Sequence, residues 1–247
     1  MADPEPIKPD AACFATTHWS IVLNAKQASE PAAHEALEIL CATYYYPLYA
    51  FVRRQGYDPH AAEDLTQEFF YRFVAKDYLS SVSPEKGRFR SFLLASLKHY
   101  LSVARAQAAA IKRGGRTNFI PLDGEKVENR YLQEPKSELA PEMAYDRGWA
   151  TTLMERALEG LRQEFRDDDK AVLFEKLRPF LSSEPVVGEY QDLAAELNMT
   201  AGAIGVAVFR LRQRYGQRVR AEVANTVGHP ADVEEELRYL FAVLTAK

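Results

Sequence analysis

Between Glu189 and Tyr215 apolar residues fall at i, i+3, i+4 and i+7 twice in succession. The first set is Tyr190, Leu193, Ala194 and Leu197, and the second is Ile204, Val208, Leu211 and Tyr215, with about three residues, Asn198-Met199-Thr200, between them. That spacing lines each set along one stripe of a helix with 3.6 residues per turn. Thr200 is suited to cap the second helix, because its hydroxyl can accept from a backbone N–H in the first turn. The second helix also carries Arg210, Arg212, Arg214, Arg218 and Arg220. Two short amphipathic helices with so tight a turn and a basic second member describe a helix-turn-helix whose recognition helix starts near Ala201; a plain helical hairpin is the alternative.

The same period runs through most of the chain, with few period-two runs of β-branched residues and no Asn-Gly or Asp-Gly hairpin turns, so an all-α fold is expected. After a disordered start (1–16), Thr17 caps a short helix with Trp19, Val22 and Leu23, and Pro31 opens one carrying Leu37, Leu40 and Cys41 that Gly56 stops. Asp58-Pro59 opens the next, with Leu65, Phe69, Phe70 and Phe73 as its apolar face. A long helix is predicted from about Phe89 to Ile111. Residues 115–140 have weak periodicity, scattered Pro and Gly and many acids, and read as an interdomain linker. Helices resume near Pro141 and again at Val172 to Leu177. The C-terminal ADVEEELRYLFAVL reads as an amphipathic helix with the stripe Leu237, Leu240, Phe241 and Leu244.

The 247 residues include 31 Lys plus Arg and 35 Asp plus Glu, a net charge of -4 that by itself gives no sign of a polyanion partner. The distribution is uneven. Residues 86–122 carry 8 basic and no acidic side chains, and residues 200–223 carry 5 and 1. The first island, Lys86, Arg88, Arg90, Lys98, Arg105, Lys112, Arg113 and Arg116, is interleaved with Phe89, Phe92, His99 and Tyr100. Solvated helix faces usually mix both signs, whereas cations among rings are what holds a phosphate backbone and stacks unpaired bases. Nucleic acid is therefore the expected partner.

Only Cys13 and Cys41 occur, outside any CxxC spacing, which supports neither a disulfide framework nor a zinc site. No metal or cofactor is expected. The acidic, proline-containing N-terminus and the lack of a long apolar run point to a cytoplasmic protein without a membrane span. His60 and Glu63 are a conceivable ligand pair, but no HExxH, P-loop or GxSxG accompanies them, so catalysis is not expected.

The stretch YYYPLYAFVRRQGYDPHAAEDLTQEFFYRFV, followed by PEKGRFRSFLLASLKHYL, resembles the second conserved region of the bacterial ECF-type sigma factors, including an AEDLxQExF signature at Ala62 to Phe69. The segment YQDLAAELNMTAGAIGVAVFRLRQRY resembles their fourth region. The resemblance implies two helical domains, a region 2-like bundle (17–114) and a region 4-like helix-turn-helix (141–224), joined by the linker 115–140 and followed by a C-terminal extension (225–247). It implies a core RNA polymerase partner, docked through its β′ clamp helices on Asp64, Leu65, Gln67, Glu68 and Phe70. Minus-ten DNA would fall to Arg88, Phe89, Arg90, Lys98, His99, Tyr100 and Arg105. Upstream DNA would fall to Thr200, Ala203, Ile204, Arg210, Arg212, Arg214 and Arg218. Where the family commonly has an Arg-Asn pair and a downstream Asp, this chain has Lys98, His99 and Val103, and its recognition helix carries Gly205, Val206 and Ala207.

An anti-sigma factor or other regulator is a further partner that the resemblance allows, and Thr66, Ser81 and Ser83 are candidate phosphorylation positions. The C-terminal helix is expected to pack on the fourth-region domain, or to cover its basic recognition surface with Glu234, Glu235 and Glu236. The rival reading is a helix-turn-helix regulator that binds DNA without polymerase.

Overall fold

The computed structural model describes residues 30–74, 88–110, 124–134 and 140–246. The expected helix at Trp19 to Leu23, Ser81, Ser83, Cys13 and the basic residues Lys86, Lys112, Arg113 and Arg116 lie outside the described residues. Among those described there are nine α-helices and no strand, so the fold is all-α. They are α1 (Glu30–Arg54), α2 (Pro59–Val74), α3 (Phe89–Ala110), α4 (Gly124–Gln133), α5 (Pro141–Asp167), α6 (Ala171–Leu177), α7 (Glu189–Glu196), α8 (Ala201–Thr226) and α9 (Val233–Thr245). No single helix is long and apolar enough to cross a membrane.

Local chemistry sets several of these boundaries. Gly56 takes φ +92, the left-handed conformation that ends α1 without a Cβ clash. The Asp58 carboxylate then accepts from the Ala61 N–H at 2.9 Å, ahead of Pro59 at the first position of α2. Asp169 and Asn198, both with positive φ, mark the ends of α5 and α7.

The chain divides into two compact units, one comprising Met1–Thr152 with Val223–Lys247 and the other Leu153–Glu222. In the first, α1 contributes Leu40, Tyr44, Leu48, Tyr49 and Val52, α2 contributes Phe69, Phe70 and Phe73, and α3 contributes Phe89, Leu93, Leu97 and Tyr100, all buried. Rings meet at 6.4 Å between Phe73 and Phe89 and at 5.9 Å between Phe69 and Tyr100. Tyr145 and Trp149 of α5 complete this core. Gly148 lies so near α1 that a Cβ there would sit 3.3 Å from the Cα of Pro47. Cys41 is buried with them, and burial, with some help from Glu38, pushes its thiol up to about 12.

Two expectations need correction. Part of the segment read as linker is the helix α4, which buries no residue and is held by polar contacts instead. Glu128 accepts from Arg53 Nε at 3.0 Å and from Arg53 Nη2 at 2.8 Å, and also from the Tyr49 hydroxyl. The Arg130 guanidinium lies 3.9 Å from the Tyr46 ring centroid. The C-terminal helix α9 falls in the first unit, not with the helix-turn-helix. Its buried residues are Val233, Glu236 and Leu240, whereas Phe241 of the expected stripe is 50% exposed.

The second unit packs Leu161 and Phe165 of α5, Phe174 and Leu177 of α6, Phe180, Leu193 and Ala194 of α7, and Ile204, Val208 and Leu211 of α8 into one core. Of the apolar set that the periodicity around Asn198 marked out, Leu193, Ala194, Ile204, Val208 and Leu211 are buried here, and Tyr190, Leu197 and Tyr215 pack against this core partly buried.

Candidate nucleic-acid interface

In the second unit α7 and α8 are bent 98° apart across their short turn. This is the angle range of a helix-turn-helix. Asn198 takes φ +52, and the Met199 N–H donates to the Ala194 carbonyl at 2.9 Å to close α7. Thr200 Oγ1 accepts from the Ala203 N–H at 3.2 Å, so it caps α8 as the sequence implied. Ile204, Val208 and Leu211 face the core, and the outward stripe runs Gly202, Val206, Phe209, Gln213 and Gly216, with Arg210 beside it. Val206 is 50% and Phe209 67% exposed, although both are apolar. Gly205 leans toward Tyr190, where an added Cβ would meet ring carbons at 3.6 and 3.9 Å, ordinary van der Waals contact.

The second basic island is largely committed within its own unit. Arg212 donates to the carbonyls of Phe180 at 2.8 Å and Ser183 at 2.9 Å and pairs with Glu184 at 3.2 Å, which ties down the loop before α7. Arg214, at 2.6 Å, and Arg218 share the Glu164 carboxylate. Burial pushes the Glu164 carboxyl up, but the two guanidinium hydrogen bonds outweigh it and hold the group below the usual carboxylate range. Arg212, Arg214 and Arg218 thus have anionic or carbonyl partners while their side chains stay 36%, 39% and 41% exposed, whereas Ile204 is fully buried, which corrects the expectation that it meets DNA. Arg210 is exposed and makes no ion pair among the described residues. Thr200, Ala203, Val206, Phe209 and Arg210 form the face that α8 offers.

The first island divides in the same way. Phe89 and Tyr100 are in the core at 0% and 5% exposure, and Arg90 is buried, so none of the three can meet an outside base or phosphate directly. Arg90 Nε meets Glu236 at 2.5 Å and its Nη1 meets Asp146 at 2.8 Å, while its guanidinium lies 4.0 Å from the Tyr239 ring and 5.0 Å from that of Trp149. Burial lowers the Arg90 pKa, but Glu236 and Asp146 outweigh it, so the guanidinium is raised and stays charged. Arg88 is paired with Glu235 and, through Nε at 2.6 Å, with Glu236. Lys98 pairs with Glu142 at 2.6 Å on the surface, and Arg105 donates to the Tyr57 hydroxyl at 2.8 Å. The exposed face of α3 is Ala95, Lys98, His99, Ser102 and Arg105, opposite Phe89, Leu93, Leu97 and Tyr100.

On α2 the residues expected to meet polymerase separate as well. Asp64 is exposed, and Leu65, Gln67 and Glu68 are partly so, but Phe70 is 1% exposed and packs on Tyr45 at 6.1 Å between ring centroids. Phe70 is thus a core residue rather than a docking anchor; Tyr71, 39% exposed, is the large side chain this helix presents. Glu68 pairs with Arg72 at 2.6 Å one turn on. Thr66 is buried and donates its hydroxyl to the Ala62 carbonyl at 2.7 Å, which takes it off the set of accessible phosphorylation positions.

Sequence reasoning missed Asp146, Trp149 and Tyr239 around Arg90, and it directed Glu236 to the basic surface of the fourth-region domain rather than to Arg90. No local pattern announces them, since Arg90 and Glu236 are 146 residues apart. Comparison with family models, curated proteins and solved structures finds no match to this chain.

Proposed function

We propose that this chain is a promoter-recognition subunit of RNA polymerase, a sigma factor of the ECF type, which binds core polymerase and directs initiation at chosen promoters. The observation that carries the reading is the helix-turn-helix: a 98° bend, a capped second helix, and an outward face of Val206, Phe209 and Arg210. A helix of this kind fits the major groove, where apolar side chains meet thymine methyls and an arginine can reach guanine or phosphate. Thr200 and Ala203 stand at its N-terminal end, where the chain would come nearest the base edges. The region 2-like unit supplies Lys98, His99 and Arg105 on one exposed face of α3 for the minus-ten strand. The acidic surface of α2, Asp64 with Leu65, Gln67, Glu68 and Tyr71, suits a basic docking site on polymerase.

A polymerase-independent regulator would need the helix-turn-helix but gives no use to the α2 surface, which favours the sigma reading. The reading involves no catalytic residue and no cofactor. The test is co-purification of the chain with core RNA polymerase, repeated with Asp64→Lys. Retention of the wild type and loss of the variant are expected, and a chain that binds promoter DNA but never core polymerase would refute the reading.

A further inference from the structure

The chain supplies its own occupant for part of the basic surface. The first turn of α9 carries three consecutive glutamates, a placement that the helix dipole favours even in solvent. Two of them hold arginines of the first basic island. Glu235 pairs with Arg88, and Glu236 bridges Arg88 Nε at 2.6 Å and Arg90 Nε at 2.5 Å. The helix is seated by buried Val233 and Leu240 and by the Tyr239 hydroxyl, which donates to Asp146 at 2.7 Å. The two acids differ in one decisive respect. The Glu236 side chain is 0% exposed and Glu235 is 66% exposed, against 28% for Arg88. An exposed ion pair is worth little and exchanges readily, whereas a buried one is held by the cost of leaving a charge unpaired.

We infer that α9 is a built-in competitor for nucleic acid at Arg88: Glu236 anchors the helix on Arg90 and on the Nε edge of Arg88, and Glu235 occupies the open Nη2 edge of Arg88 until a phosphate of single-stranded DNA displaces it. The inference rests on the proposed function only for the identity of the competitor. It also fixes which acid acts. Glu125, an exposed acid of α4 that forms no ion pair with Arg88, serves as a control of equal charge.

The experiment is fluorescence anisotropy of a labelled single-stranded oligothymidine with the full chain across a salt series, comparing wild type, Glu235→Gln, Glu125→Gln, Arg88→Ala and the Arg88→Ala/Glu235→Gln pair. Circular dichroism verifies that each is folded. Glu235→Gln should bind about threefold tighter at low salt, with the slope of log K against log salt steeper by up to about 0.7, the increment for one more single-strand phosphate contact. Glu125→Gln should change little, and the gain should vanish in the Arg88→Ala background. Equal gains from both glutamate variants, a gain that survives Arg88→Ala, no gain at all, or no binding by any form would each overturn the inference. The core polymerase co-purification is read separately. If the gain depends on Arg88 but core does not bind, the competitor survives and the sigma reading falls; if core binds and Glu235→Gln gains nothing, the reverse holds.

Discussion

Replacing Glu236 with Ala should unfold or loosen the first unit far more than any other single change in the acidic turn of α9. Its carboxylate is fully buried and bridges two arginines, and Arg90, 7% exposed, would be left with Asp146 as its one acidic partner. Breaking a buried pair in this way costs about 3–5 kcal/mol, because the remaining charge has no water to take the place of its partner. Glu235→Ala removes a pair that is mostly in solvent and should cost no more than about 1 kcal/mol. The double change Arg90→Met/Glu236→Ala should be milder than the two single effects summed, since a buried pair and an apolar replacement are nearly equivalent in stability. The coupling between the two sites would then reach about 2–3 kcal/mol. The assay is urea unfolding followed by tryptophan fluorescence. Trp149 is buried in the core of the first unit, so with Trp19 replaced by Phe the signal reports on that unit. Equal, small losses for Glu236→Ala and Glu235→Ala would refute the reasoning and would mean that the Arg90 site is hydrated in solution.

Gly205→Ala should raise stability by up to about 1 kcal/mol, because the new methyl meets the Tyr190 ring at ordinary contact distance and the helix loses a flexible residue; a lower melting temperature would contradict this. Burial pushes the Glu128 carboxyl up, but the Arg53 and Tyr49 hydrogen bonds outweigh it and leave its pKa lowered. A lowered folded pKa gives stability that is present above the unfolded carboxylate value of about 4.3 and is lost as pH falls through the folded value. Docking of α4 should therefore weaken only in acid, seen as faster amide exchange there, and Glu128→Gln should remove that pH dependence. Phe209→Ala and Arg210→Ala should each weaken binding of upstream promoter DNA about tenfold while leaving core polymerase binding unchanged, as measured by mobility shift with the holoenzyme. Arg214→Ala should act mainly on thermal stability through the loss of its Glu164 partner.

How far the residues spoke for themselves depended on the range of the interaction. Leu193, Val208 and Leu211 were legible as core and Thr200 as a cap because the pattern that marks them lies within one or two helical turns. The faces of α3 were legible only in part. Cations beside rings suggested a nucleic-acid surface, but that composition does not say that Phe89 and Tyr100 fall on the apolar side with Leu93 and Leu97 while Lys98 and His99 fall on the other. In α8 the arginines stood out, yet the carboxylate that holds Arg214 and Arg218 is Glu164, 50 and 54 residues away. Glu234-Glu235-Glu236 read as a set of acids facing the fourth-region domain, and the burial of the last member depends on Arg90 arriving from another helix. The helix α4 escaped notice because it has no apolar stripe to bury and is held by Arg53 and Tyr49 of α1.

The central claim is that the chain gives RNA polymerase its choice of promoter, and transcription in a purified system tests it directly. Core polymerase with this chain on genomic fragments should yield discrete start sites that core alone does not, and these should disappear with Asp64→Lys and shift or weaken with Phe209→Ala. Start sites that do not depend on the chain, or repression of transcription driven by a sigma factor without any initiation by this chain, would contradict it.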